Sequence, residues 1–392
     1  MQAIVVTLDH LALGFLGCYG SAATKTAGFD QLAANSVVFD QCLSAASAIE
    51  AVPGLMDLAA GLRERGGVAI VHECDPSKSA GSALSEPVSE FLRAGAAGAC
   101  ALLWLKCPAV ASPWGASASR VREVLRTTSG ARELRSQLSA ALPELVADAH
   151  AGTESTEEWI AALPAVLKDS KALDRDQFAE SVAVGRLRRI LYAAAVVEVD
   201  AWLAELMVLL DDDATRDVLL IVTAGRGDLA VAHPELAAGC PPLIAPLCRV
   251  PLLVRTRTSA DGTRRGGLVS TADIAPTLGE WLQRVPQDCG PQSRSLWPLL
   301  RDHTANVRDE LLIGSPETGW RLEDAGFACV CSRAGLWAEA GDVPESSGDR
   351  PRLFVKPDDA WDTLDVAREH PEVTERMVSR IRELAGQKAE TA

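Results

Sequence analysis

The sequence is poor in aromatic residues, at 5%, and in basic ones, with 38 Lys and Arg against 53 Asp and Glu; it has no C-x-x-C pair. Each scarcity excludes something. No apolar run approaches the roughly 18 residues that a spanning helix needs, so no membrane segment is expected. The ten cysteines (Cys18, Cys42, Cys74, Cys100, Cys107, Cys240, Cys248, Cys289, Cys329 and Cys331) are scattered. That scatter argues against a zinc site, and several of the thiols lie in apolar segments where a reduced cysteine packs as a small hydrophobe, which argues against a disulfide framework. A formal net charge of −15 repels nucleic acid and polyanions alike. The opening MQAIVVTLDH has neither a basic leader nor a cleavage site, and a cytoplasmic protein is the expectation.

What is present is a long globular chain. At 392 residues, 48% of them hydrophobic, there is enough apolar matter for a large core. The runs VAIV (68–71), ALLWL (101–105), VLLIV (218–222) and VPLLV (250–254) lack alternation and read as strands covered on both faces. Residues 29–38, 55–65, 185–210 and 272–283 carry apolar positions at helical spacing. Strands alternating with helices predict an α/β fold: a doubly wound, mostly parallel sheet flanked by helices. Residues 118–184 turn polar and helix-favouring and read as an excursion from that sheet. After SLWPLL (295–300), the pieces FACVC (327–331), GLWAE (335–339) and RLFV (352–355) predict a small antiparallel subdomain. It closes with a helix over 371–388 that places Val373, Met377, Ile381 and Leu384 on one face. The expected division is 1–310 for the α/β domain and 311–392 for the C-terminal subdomain.

The order of motifs is the stronger signal. The strand IVVTL (4–8) runs into Asp9 and is followed by LGCYG (16–20), Thr26, Asp30 and QLAANSVVF (31–39). VLLIVTAGRGD (218–228), RVPLLVR (249–255), VSTADIAPTL (269–278), SLWPLL and the tail LFVKPDDAWDTLDVAREHPEV (353–373) come next. This series resembles the sulfatase branch of the alkaline phosphatase superfamily over nearly the whole chain. The resemblance implies that fold, a formylglycine nucleophile made from Cys or Ser in a C/S-x-P-x-R signature, and a bound Ca²⁺ or Mg²⁺.

At the positions where the resemblance places that chemistry, the residues have changed. Counting back from Ala60-Gly61, the nucleophile falls on Ala51, with Pro53 retained and Leu55 in place of the Arg. A methyl group cannot attack sulfur or phosphorus. Of the metal ligands Asp9 remains, His10 follows it, and TAGRGD (223–228) puts Gly225 and Arg226 where the later ligands belong. A hard dication wants six to eight oxygens. Arg226 would instead repel it, by about 8 kcal/mol at about 4 Å with an effective dielectric of about 20. The expectation is therefore no metal or other cofactor, with Arg226 either forming an internal ion pair to Asp9 or standing exposed in its loop.

Other helper positions are altered too. Ala111 or Ser112 stands where a leaving-group His is implied, and LIAPLCRVP (243–251) lacks the implied Lys or His. Asp200 keeps a scaffold acid on a long helix. Ser44 and Ser47 are ordinary loop serines, or nucleophiles under a different register; Glu50 and Asp57 read as solvated acids. His72, His150, His233, His303 and His370 show no metal-ligand spacing.

The expected protein is sulfatase-like, arylsulfatase-like in outline, and catalytically inactive: a pseudoenzyme with a binding or regulatory role toward a protein partner or a small anionic ligand. The alternative is an active sulfuric- or phosphoric-ester hydrolase that uses Asp9, His10 and an upstream serine.

Overall fold

The computed structural model describes residues 1–22, 24–44, 52–75, 78–108, 110, 116–127, 133–134, 136–137, 182–211, 218–228, 243–256, 262–284, 292–337 and 349–391. The N-terminal run QAIVVTL forms β1 (Gln2–Leu8), buried at every position. The sheet around it contains β2 (Val37–Leu43), β3 (Val68–Glu73), β4 (Ala101–Cys107), β5 (Val218–Ala224), β6 (Leu252–Arg255) and β7 (Thr263–Ser270), in the order β3-β4-β1-β5-β6-β2-β7. β1 pairs in parallel with β4 and β5, β3 with β4, and β2 with β7. Among the described strands of this sheet, only β6 runs antiparallel, to β5 and to β2. Both faces are covered, which is why β1, β4 and β5 read as continuous apolar runs.

One expected helix ends early, and one expected strand is a helix. The helix predicted over 29–38 stops at Ala34, and Val37, Val38 and Phe39 open β2. β-branched and aromatic side chains in succession fit a pleated, buried strand better than a helical turn. GLWAE, expected as a strand, instead lies in the short helix Arg333–Trp337 as far as it is described. The helix expected over 185–210 runs Val182–Asp211, roughly 45 Å of helix at 1.5 Å per residue. It packs on the helices Ala27–Ala34 and Ala118–Thr127. Asp200, on this long helix, accepts hydrogen bonds from the first-turn amides of Gly28 (3.0 Å) and Phe29 (2.8 Å), so the scaffold acid caps a helix that lacks a side-chain cap of its own. The approach is so close that a Cβ on Gly28 would lie 2.4 Å from the Asp200 carbonyl oxygen. Most of the 118–184 excursion lies outside the described residues.

A second sheet is antiparallel, in the order β11-β10-β9-β8, from β8 (Glu310–Ser315), β9 (Gly319–Asp324), β10 (Phe327–Cys331) and β11 (Arg352–Val355). Its alternating side chains face two ways. Leu312, Trp320, Leu322, Cys329 and Leu353 meet Met377, Val378 and Ile381 of the helix Pro371–Thr391. Leu311, Ile313, Ala328, Val330 and Phe354 pack on Leu43, Leu243, Cys248 and Leu268. The second face thus fastens the small sheet to the segments beneath the main sheet's edge.

That junction also holds charge. The Arg321 guanidinium, fully buried, bonds Glu323 and Asp362, and donates to the carbonyl of Leu243 at 3.2 Å. Asp362 also accepts from Lys356 (2.6 Å) and from the amide of Ala245 (2.6 Å). Burial on its own would raise the Asp362 pKa, but Arg321 and then Lys356 hold it below the usual carboxylate value. Every partner in the cluster is a fixed charge or a backbone group, as a buried network requires.

Candidate functional site at the carboxyl edge of the main sheet

In an open α/β sheet, ligands bind beyond the carboxyl ends of the strands. Here β1, β4 and β5 end level with one another, Leu8 beside Cys107 and Ala224. The residues that follow keep the register, since the Asp9 amide donates to the Cys107 carbonyl (3.1 Å) and the Gly225 amide to that of Leu8 (3.0 Å). Asp9, His10, Lys106, Gly225, Arg226 and Asp228 therefore lie along one edge.

Asp9 is exposed to solvent on its outer side. The protein crowded about its base still raises its pKa, and the charges of His10 and Lys106 pull it back down. Lys106 is half-buried, its ammonium 4.2 Å from the ring centroid of Trp104. Residues two apart on a strand share a face. Trp104 is itself fixed by a hydrogen bond from its indole nitrogen to Thr7 Oγ1 at 3.0 Å.

His10 adopts φ 58°, the left-handed region that a residue with a Cβ enters at a cost. Tyr192, reaching in from the long helix, secures this turn: its hydroxyl donates to the His10 carbonyl at 2.6 Å and accepts from the Ala12 amide at 2.7 Å. Burial pushes the Tyr192 phenol well above its ordinary pKa, so it stays protonated and able to donate. The imidazole Nδ1 faces the buried carboxylate of Asp228, 3.9 Å from Oδ2. That is an ion-pair separation when the imidazole is protonated, and too long for a direct hydrogen bond.

Two glycines shape the loop after β5. Gly227 donates to the Leu247 carbonyl at 2.8 Å, and a Cβ there would sit 2.1 Å from the Pro246 carbonyl oxygen. The loop is pressed against the segment Ala245–Cys248 with Arg226 half-buried between Gly225 and Gly227. The charges of His10 and Lys106 act on Asp9 from beside it. Lys106, coming from the neighbouring strand, brings a second cation to act on Asp9.

Of the nucleophile signature, Ala51 lies outside the described residues. Pro53 is half-buried, and Leu55 is fully buried in the main core at the start of the helix Leu55–Glu64, a position that would desolvate a guanidinium. Asp57 is exposed on that helix. Ser44 is 2% exposed, and its hydroxyl donates to the carbonyl of Gly225. It is thus used as a strut between the ends of β2 and β5. Ser47, Glu50, Ala111, Ser112, His150 and His233 lie outside the described residues. His72, His303 and His370 sit on three separate elements, His370 against the edge of Phe327 at 5.9 Å between ring centroids. In the segment 243–251, Arg249 donates through Nε (3.1 Å) and Nη2 (2.7 Å) to the Asp40 carbonyl, a bracing contact.

The donor set does not fit a hard dication. The edge offers two carboxylates, Asp9 and Asp228, the latter facing His10, Gly225 offers no side chain, and the remaining neighbours are cationic or potentially so; among the described residues no group of three or more His, Cys, Asp or Glu could hold a metal. Sequence reasoning missed Asp228 and Tyr192. Asp228 could have been found as the acid closing the turn after β5; Tyr192 carries no such signal.

The sequence matches no protein-family model and no curated protein. Solved structures do match in fold. A protein solved in complex with its substrate D-glucosamine-2-N,6-O-disulfate superposes with TM-score 0.66 at 14% identity, covering 99% of this chain and 98% of that one. The phosphonate monoester hydrolase of Agrobacterium radiobacter gives 0.62 at 16% identity, covering 99% and 96%. A 2-O glycosaminoglycan sulfatase gives 0.61 at 11% identity, covering 99% and 92%.

Proposed function

We propose that this chain, which carries the sulfatase-like fold of the alkaline phosphatase superfamily, does not hydrolyse esters and instead binds a small oxyanion at the carboxyl edge of its main sheet. The observation that carries this reading is the environment of Asp9: protonatable or permanently charged nitrogens of His10 and Lys106 stand beside it, where a dication-dependent hydrolase would need oxygen ligands. Arg226, in the adjoining loop, adds a guanidinium suited to two-pronged contact with a sulfate or phosphate group.

The position of Leu55 and the engagement of Ser44 support the same reading. An apolar side chain sealed in the core contributes no charge to a transition state, and a hydroxyl bonded to a backbone carbonyl is not poised for attack. The reading is tested with the full-length protein in two assays. Turnover of an aryl sulfate, a phosphate monoester and a phosphonate monoester, with and without Ca²⁺ or Mg²⁺, is expected to stay at the rate of the protein-free control. Calorimetric titration with sulfate and with an aryl sulfate is expected to show binding that Lys106→Ala weakens about tenfold, the loss of one charged hydrogen bond. Metal-stimulated turnover overturns the first half, and no anion binding overturns the second.

A further inference from the structure

At the outer side of the same edge lies a pair of thiols that the reading above does not use. The parallel register of β3 with β4 sets Glu73 beside Lys106, and the next hydrogen bond, from the Cys74 amide to the Lys106 carbonyl (2.6 Å), carries it one step further. Cys74 is thereby opposite Cys107. Both are reduced and buried, at 5% and 1% exposure. Burial pushes the Cys107 thiol well above its ordinary pKa and the neighbouring Cys74 adds to the rise, while the Cys74 thiol lies 3.9 Å from the His72 carbonyl oxygen. Adjacent strands lie about 4.8 Å apart, inside the roughly 4.4–6.8 Å Cα separation that an unstrained disulfide accepts.

We propose that Cys74 and Cys107 are a disulfide-forming modification site, oxidised by hydrogen peroxide or an equally small peroxide. Cys74, the less buried, reacts first. Its sulfur attacks one peroxide oxygen, the O–O bond breaks, and water leaves with the thiol proton, giving a sulfenic acid. The Cys107 sulfur then attacks the sulfenic sulfur; the S–S bond forms, the S–OH bond breaks, and a second water carries off the Cys107 proton. Two thiols lose two electrons and one peroxide becomes two waters. The product ties the end of β3 to β4 beside Lys106, at the rim of the edge where Asp9 stands.

The molecule contains its own comparison. Cys329 and Cys331 are also a pair of buried thiols, but they are two residues apart on β10, about 6.6 Å along an extended strand and buried beneath the C-terminal helix. That spacing sits near the upper limit for a disulfide and the strand cannot shorten it.

The test is peroxide treatment of the folded full-length protein, alkylation of the remaining thiols with N-ethylmaleimide in denaturant, and peptide mass mapping without reduction. Oxidation of Met56, 44% exposed, gauges the dose. At a dose that oxidises Met56, a linked peptide pair joining Cys74 to Cys107 is expected, along with alkylated Cys329 and Cys331. Dithiothreitol should release the pair, and in Cys107→Ser a dimedone adduct should mark Cys74. Recovery of Cys74 and Cys107 as maleimide adducts at that dose overturns the proposal; so does linkage to other cysteines in preference to each other. The wild-type map decides the matter even if a serine variant fails to fold.

Discussion

Two clusters of charged side chains lie at the margins of this fold, and they are built on opposite principles. At the junction of the two sheets, Arg321, Glu323, Lys356 and Asp362 are buried, paired, and backed by backbone groups. At the carboxyl edge, Asp9 opens to solvent and His10 holds a strained conformation, with Lys106 half-buried beside them. A satisfied network fixes one arrangement and is mute toward ligands. An incompletely enclosed one, held by a scaffold that absorbs backbone strain, has capacity to spare for a ligand. Charges that build the fold stand on one side of this comparison, and on the other stand charges left open to solvent, for which the proposed role is binding; mutation can break it.

The largest effect is expected at the junction. Asp362→Asn leaves Arg321 and Lys356 short of a buried counter-charge and should cost about 3–5 kcal/mol in denaturant unfolding. A loss under 1 kcal/mol would mean that the network is not structural. The same carboxylate gives a pH signature. Its folded pKa is depressed below an unfolded value of about 3.9, so its contribution is fully present above that value and is lost as pH falls through the folded pKa. Acid unfolding of Asp362→Asn should therefore show a flatter dependence below about pH 4 than the wild type.

Next in size is Asp200→Ala. It leaves the amides of Gly28 and Phe29 without their acceptor, and about 1–3 kcal/mol of stability should be lost. Smaller still is the effect of Asp9→Asn on folding. Its ionised form is already disfavoured by burial, and the outer side of the group is wet, so unfolding should be nearly unchanged while sulfate affinity rises several-fold as a repelling charge is removed. If this variant were as destabilised as Asp362→Asn, the contrast between the two clusters would disappear.

The sequence disclosed the strands that are buried on both faces, because a continuous apolar run such as VLLIV admits few other structures. It concealed β7 and β9, where TRRGGLVS and GWRLED mix arginine and glycine into strands whose pairing is set by neighbours. It also concealed the division between the two charge clusters. Asp9 was legible from its place after β1, and Leu55 and Gly225 from the motifs around them. The Tyr192 clamp joins residues some 180 positions apart, and Lys106 reaches Asp9 only because two parallel strands share a register. Local order along the chain cannot say which cation a strand neighbour brings toward Asp9.

The most direct measurement is elemental analysis of the purified protein after equilibration with Ca²⁺ and Mg²⁺. The account predicts neither ion in stoichiometric amount, since two carboxylates among cationic neighbours cannot replace a hydration shell of six to eight oxygens. One equivalent of either metal, lost on Asp9→Asn, would contradict it.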